Sequence, residues 1–211
     1  MKKVFLISGL LLIFSCKKEN KNAEKSLSID SLSSKTVVDT LKKSNEINSI
    51  DKIKEEYNLV NSKLSAKKFD SLSFDYECEE ISGNVVYYSE NGILKVIKHF
   101  SADSHFSSIE NYFVNDGKPY FIFQQETVWR FDGGTPEKPE TKDDVRENRY
   151  YYVNNKLEYC RDKKYTIRSK NSSKQENISD GESENCSDTE LLKTFNLILK
   201  NKNKKDPIKC L

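Results

Sequence analysis

The chain has no apolar run near the roughly twenty residues needed to cross a hydrocarbon core, so no membrane-spanning helix is predicted. It has almost no net charge, with 35 Lys and Arg against 33 Asp and Glu, and setting Lys2 and Lys3 aside leaves 33 against 33. A balanced chain carries no long-range field to gather nucleic acid or anionic lipid, so no nucleic-acid partner is expected. There are 2 histidines and no Cys-x-x-Cys pair, which excludes the common zinc frameworks. No Gly-x-Ser-x-Gly is present, which excludes the nucleophile elbow. Phosphate cradles need glycines ahead of a helix, whereas Gly133-Gly134 is followed by Pro136. The acidic pairs Glu79-Glu80 and Asp143-Asp144 read as solvated side chains. Catalytic residues, cofactors and metals are therefore not expected, and the chain reads as a non-enzyme.

What is present begins with Lys2-Lys3, an apolar run Val4–Phe14 and a small residue ahead of Cys16, the layout of a secretory signal. Ile13-Phe14-Ser15-Cys16 resembles the lipobox of bacterial lipoproteins. The resemblance implies cleavage after residue 15, lipid on Cys16 and stable membrane attachment through several acyl chains. Lys17-Lys18-Glu19 is similar to the export signal of Bacteroidota lipoproteins. It implies an outer-membrane protein on the periplasmic or cell-surface side, the surface being favoured. Asp30-Ser31-Leu32, Asp39-Thr40-Leu41 and Asp70-Ser71-Leu72 match the sequon those bacteria use for O-glycosylation, which makes Ser31, Thr40 and Ser71 candidate acceptors.

The expected organisation is a signal peptide over 1–15, a flexible tether over 16–44 rich in Lys, Ser and Asn, and one α+β domain over 45–211. High charge would permit disorder, but 11 Tyr and 11 Phe argue for a packed core. Ile47, Ile50, Ile53, Tyr57, Val60 and Leu64 recur at three- and four-residue steps, predicting an amphipathic helix over 46–67.

The period then changes. Glu90-Asn91-Gly92, Asn115-Asp116-Gly117 and Asn154-Asn155 each separate an aromatic or β-branched run from another strand-like run. Such turns accept positive φ at both centres and mark hairpins. The three units look like an internal repeat, and Tyr165–Arg168 adds a further strand, giving an antiparallel meander of about six or seven strands. Phe121, Phe123, Trp129 and Phe131 share one parity and are expected to face the helices, while Tyr120, Ile122, Gln124, Glu126, Val128 and Arg130 face solvent. Residues 132–148 and 169–185 read as long loops. Ser187-Asp188-Thr189-Glu190 reads as a capping box for a last helix reaching about Lys200. Both helices are expected on the aromatic sheet face.

Cys78, Cys160, Cys186 and Cys210 form an even set in an exported chain, which predicts two disulfides. Pairing Cys186 with Cys210 and Cys78 with Cys160 competes with a Cys160–Cys186 bond. His99, Asp103 and His105 are close in sequence but read as exposed polar residues rather than metal ligands. Tyr88, Tyr112, Tyr120, Tyr150 and Tyr152 read first as cross-strand pairs, and second as a recognition surface. Lipobox, polar tether, helix, hairpins and closing helix together resemble uncharacterised Bacteroidota lipoproteins. The expected role is a lipid-anchored envelope module binding a protein or glycan. The alternative is an immunity or inhibitor lipoprotein directed at a toxin or hydrolase, and an envelope enzyme stands third.

Overall fold

The computed structural model describes residues 46–183, 186–204 and 208–211. The expected signal peptide, Cys16, the tether, Ser31 and Thr40 lie outside the described residues. Among the described residues the fold is α+β: an open eight-stranded antiparallel sheet and two helices. Helix α1 spans Ile50–Ser65, and the Ser49 side chain caps it by accepting from the Lys52 amide at 3.2 Å. The strands follow as β1 (Asp70–Cys78), β2 (Ile81–Glu90), β3 (Ile93–Ala102), β4 (Phe106–Asn115), β5 (Lys118–Thr135), β6 (Lys138–Val153), β7 (Lys156–Arg168) and β8 (Gln175–Glu182). Helix α2 spans Thr189–Asn201. Each strand pairs only with its sequence neighbours, in the order β1 to β8.

The internal repeat is real at the level of single residues. Asn91-Gly92, Asp116-Gly117 and Asn154-Asn155 all have positive φ at both positions, as a type I′ turn requires. In each hairpin the second residue beyond the turn's closing pair is left unpaired. Leu94 faces Ser89 and Val96 faces Tyr88, leaving Lys95 out. Pro119 faces Val114 and Phe121 faces Phe113, leaving Tyr120 out. Leu157 faces Tyr152 and Tyr159 faces Tyr151, leaving Glu158 out. The three bulges sit at one end of the sheet, where they add twist.

The helices pack on opposite faces, which corrects the expectation that both share one. Ile97, Tyr112, Ile122 and Tyr150 are buried with Leu191, Phe195 and Ile198 of α2. Their chain neighbours Val96, Phe113 and Phe121 are buried with Ile53 and Val60 of α1. Adjacent residues point to opposite faces of a pleated strand, so the two clusters lie on opposite sides. The parity assigned to solvent is therefore wrong near the start of β5, where Ile122 is fully buried and Tyr120 nearly so.

Two predicted loops are strands. β5 and β6 continue through the 132–148 region to a two-residue tip at Pro136-Glu137, and 169–185 supplies a short 3-10 turn and β8. Neither core cluster takes a residue of β5 beyond Phe123 or of β6 before Tyr150. The outer half of this hairpin thus stands clear of both helices. Cross-strand ion pairs hold it instead, among them Arg130–Asp144, Lys142–Asp132 at 3.7 Å and, to the neighbouring β7, Arg168–Asp132.

The capping box does not form. Asp188 is the N-cap of α2 but caps no helix amide; its carboxylate accepts from the Tyr152 hydroxyl at 2.8 Å. Disulfides join Cys78 to Cys210 and Cys160 to Cys186, with Cα separations of 4.8 and 5.9 Å. Of the two pairings left open, the one containing Cys160–Cys186 forms, and Cys186–Cys210 with Cys78–Cys160 does not. Helix α2 crosses the sheet from β7 back to β1, so its flanking cysteines meet different strands rather than each other.

Candidate functional site

Two regions carry polar or aromatic side chains beyond what the core needs. The first is a row across the α2 face, next to the apolar row beneath the helix. His99, Glu110, Gln124, Asn148 and Asp162 are successive cross-strand partners from β3 to β7. His99 is 5% exposed and Glu110 8%, so His99 is not the exposed loop residue expected. The Tyr76 hydroxyl lies 2.7 Å from His99 Nε2, and His99 Nδ1 lies 3.0 Å from Glu110 Oε2. The Tyr112 hydroxyl donates to the same Glu110 oxygen at 2.5 Å. A neutral ring meets both contacts with Nδ1–H donating to the carboxylate and Nε2 accepting from Tyr76. Farther along, the Asn148 amide donates to Gln124 at 3.0 Å.

The order hydroxyl, imidazole, carboxylate is that of hydrolytic triads. Access separates it from them. The Tyr76 ring lies over Gly83, where an added Cβ would fall 2.1 Å from the ring carbon bearing the hydroxyl, and it stacks beside His99 at 5.9 Å. His99 itself is buried beneath that ring. The row's chemistry is to hold a buried carboxylate with its donors met, which burial demands.

Tyrosines also fasten α2 to the sheet. Tyr87 donates to the Ile198 carbonyl at 2.8 Å, Tyr112 reaches the Leu191 carbonyl at 3.2 Å, and Tyr152 holds Asp188. The tyrosine reading thus resolves mainly to core. Tyr112, Tyr120, Tyr150 and Tyr152 are buried, and only Tyr88 of that set is half-exposed. Burial pushes the Tyr87 phenol up to about 12. Burial, joined by Glu110 for Tyr112 and by Asp188 for Tyr152, raises those two further.

A phenol raised in the folded state stabilises fully below its unfolded value, near 10, and that contribution is lost as pH rises through the folded value. Alkaline unfolding is therefore expected to begin above about pH 10, where the unfolded chain releases these protons first. Phenolate absorbance at 295 nm followed alongside circular dichroism checks this. The buried tyrosines should ionise together with loss of structure, and independent ionisation below that transition would contradict their placement.

The second region is the outer half of the sheet. Trp129 packs at a tilt against His105 with centroids 4.4 Å apart and meets Phe131 edge-on at 5.6 Å. The Trp129 indole N–H donates to the Ser104 carbonyl at 2.9 Å, which fixes the ring, and Phe131 is 66% exposed. Asp103 shapes the supporting turn by accepting from the His105 and Phe106 amides at 3.1 and 3.0 Å. His99, Asp103 and His105 thus do three separate jobs, and among the described residues no cluster of His, Cys, Asp or Glu has metal-binding geometry. On the other face of this outer half, Asp144, Arg146, Lys164, Thr166 and Asn177 line a shallow depression of about 220 Å³. Thr166 donates to Asp144 there at 2.8 Å. Burial alone would raise the Asp144 carboxyl, but that bond and Arg130 outweigh it and hold the group below its usual range.

Ser71, the described glycosylation candidate, is exposed on β1. Sequence reading missed the His99–Glu110 pair, although both residues occupy strands at the parity of buried neighbours, Ile97 and Tyr112. It also missed the aromatic step, because His105 and Trp129 are brought together only by the β4–β5 pairing. No protein-family model, no curated protein and no solved structure matches this chain.

Proposed function

We propose that this chain is a lipid-anchored envelope protein whose sheet is a non-catalytic binding module for a protein or glycan. The observation that carries the reading is the outer half of the β5–β6 hairpin, which extends beyond both cores and presents Trp129 and Phe131. A fixed, half-exposed indole beside an exposed phenyl ring offers apolar area at small entropic cost, a property favoured in recognition surfaces. The lipobox-like Ile13-Phe14-Ser15-Cys16 supports attachment at an envelope membrane, with the outer membrane preferred because of Lys17-Lys18-Glu19.

The test uses the full chain on intact cells and in solution. Trp129→Ala with Phe131→Ala is expected to weaken capture of its envelope partner, or binding on a glycan array, by at least about tenfold. The melting temperature should change little, since both residues lie outside the core clusters. Undiminished binding by the double variant would remove this surface from the proposal. Loss of membrane attachment in Cys16→Ser tests the anchor separately.

A further inference from the structure

An open sheet has two edges, and this one treats them differently. β8 is interrupted: Ser179 faces Lys164 and Glu176 faces Thr166, so Asn177 and Ile178 stand opposite Tyr165 alone. Asn177 has φ +53°, which breaks the extended line of the strand. A bulge of this kind blunts an edge against further pairing.

β1 has no such device. Its nine residues pair with β2 without a register shift, and it contains neither proline nor lysine. The turn closes on Cys78 and Ile81, so the residues in step with Cys78 direct their backbone groups toward β2. The N–H and C=O groups of Ser71, Ser73, Asp75 and Glu77 therefore point outward. Among the described residues no strand pairs with β1 on its outer side, and all four residues are exposed.

The side chains along this edge differ by face. Ser71, Ser73, Asp75 and Glu77 project to the α1 side. Leu72, 53% exposed, and half-buried Phe74 project to the α2 side. Residues 69–80 contain Asp70, Asp75, Glu77, Glu79 and Glu80 and no Lys or Arg. A second copy of β1 placed here would set carboxylates against carboxylates, which disfavours self-pairing. A strand with Lys or Arg on the α1 side and aliphatic residues on the α2 side meets both faces.

We infer that the β1 edge accepts a basic, extended segment of a partner protein as a ninth strand. Main-chain bonds to Ser71, Ser73, Asp75 and Glu77 would supply the pairing, and alternate side chains the selectivity. This surface is separate from Trp129 and Phe131, so the inference stands or falls independently of the proposed function.

The probe is a labelled peptide of alternating lysine and valine, with a glutamate–valine counterpart, titrated into the full chain by fluorescence anisotropy. The lysine peptide is expected to bind at least about tenfold more tightly, with an affinity that falls as salt rises. Methylating its amides along one edge should abolish binding, because those bonds form the ladder. Ser73→Pro should weaken binding by at least about tenfold while leaving the fold intact, since the lost N–H points outward. Asp75→Lys with Glu77→Lys should reverse the peptide preference, and this variant carries the test if Ser73→Pro does not fold. Equal binding of the two peptides, or binding indifferent to amide methylation, would overturn the inference.

Discussion

Replacing Cys78 and Cys210 together by serine is expected to lower the melting temperature by about 10–20 °C. The bond closes a loop with a sequence separation of 132 residues. Chain-entropy arguments assign a cross-link of that span about 5 kcal/mol, and a domain of this size loses about 2–4 °C per kcal/mol. Cys160→Ser with Cys186→Ser opens a span of only 26, worth about 3.5 kcal/mol, so its loss is expected to be smaller. The ranking is the useful part, because it depends on the pairing. Were Cys186 joined to Cys210 and Cys78 to Cys160, neither cysteine pair replaced here would match a bond, and each double variant would open both disulfides. The two variants would then melt alike. Calorimetry of both, with a non-reducing peptide map of the parent, settles the pairing. Total stability is of the order of 5–15 kcal/mol, so reduction of both bonds should leave little of it.

Glu110→Ala is expected to cost about 3–5 kcal/mol, a large loss for one residue outside the disulfides. The reason is what remains rather than what is removed. His99 Nδ1–H and the Tyr112 hydroxyl both donate to Glu110 Oε2, and both residues are buried. Truncation leaves these donors facing a void too enclosed for bulk water to fill. Glu110→Gln keeps an acceptor oxygen and should recover part of the loss. Glu110→Met combined with His99→Leu removes donor and acceptor together and should recover more, since apolar replacement of a whole buried pair is often close to neutral. Urea denaturation gives the comparison, provided the slope stays constant across the set. A Glu110→Ala loss below about 1 kcal/mol would mean that water reaches the pair, and the site would then need to be reconsidered as accessible.

Much of the fold was legible because local chemistry wrote it. Asn91-Gly92 and Asp116-Gly117 announce their hairpins, and the stripe Ile50, Ile53, Tyr57, Val60 announces α1. The second covered face was missed by following one parity along β5. The run Pro119-Tyr120-Phe121-Ile122-Phe123 is apolar at both parities, the pattern of a strand buried on both sides. The long hairpin was missed for the opposite reason. Its outer strands pair Arg130 with Asp144 and are followed by prolines, a composition that elsewhere makes a loop. What makes them strands is the partner alongside, and a lone sequence does not display partners. The capping box failed because the helix starts at Thr189, which makes Asp188 rather than Ser187 the N-cap, and Tyr152, far away in sequence, holds the Asp188 carboxylate. The buried His99–Glu110 pair was hidden similarly, since its shelter comes from Tyr76 lying flat over Gly83.

A sheet in which every strand lies beside its sequence neighbours also has an order of assembly. Each hairpin closes a short loop, so strands can be added one after another as the chain lengthens, with little entropy spent at each step. The exception comes at the end. Helix α2 and Cys210 must return across the sheet to cover Tyr87, Tyr112 and Ile122 and to meet Cys78. Until that last segment arrives, one face of a nearly complete sheet lies bare. A chain in that state carries a broad apolar surface, the form in which it is most exposed to aggregation and to chaperones.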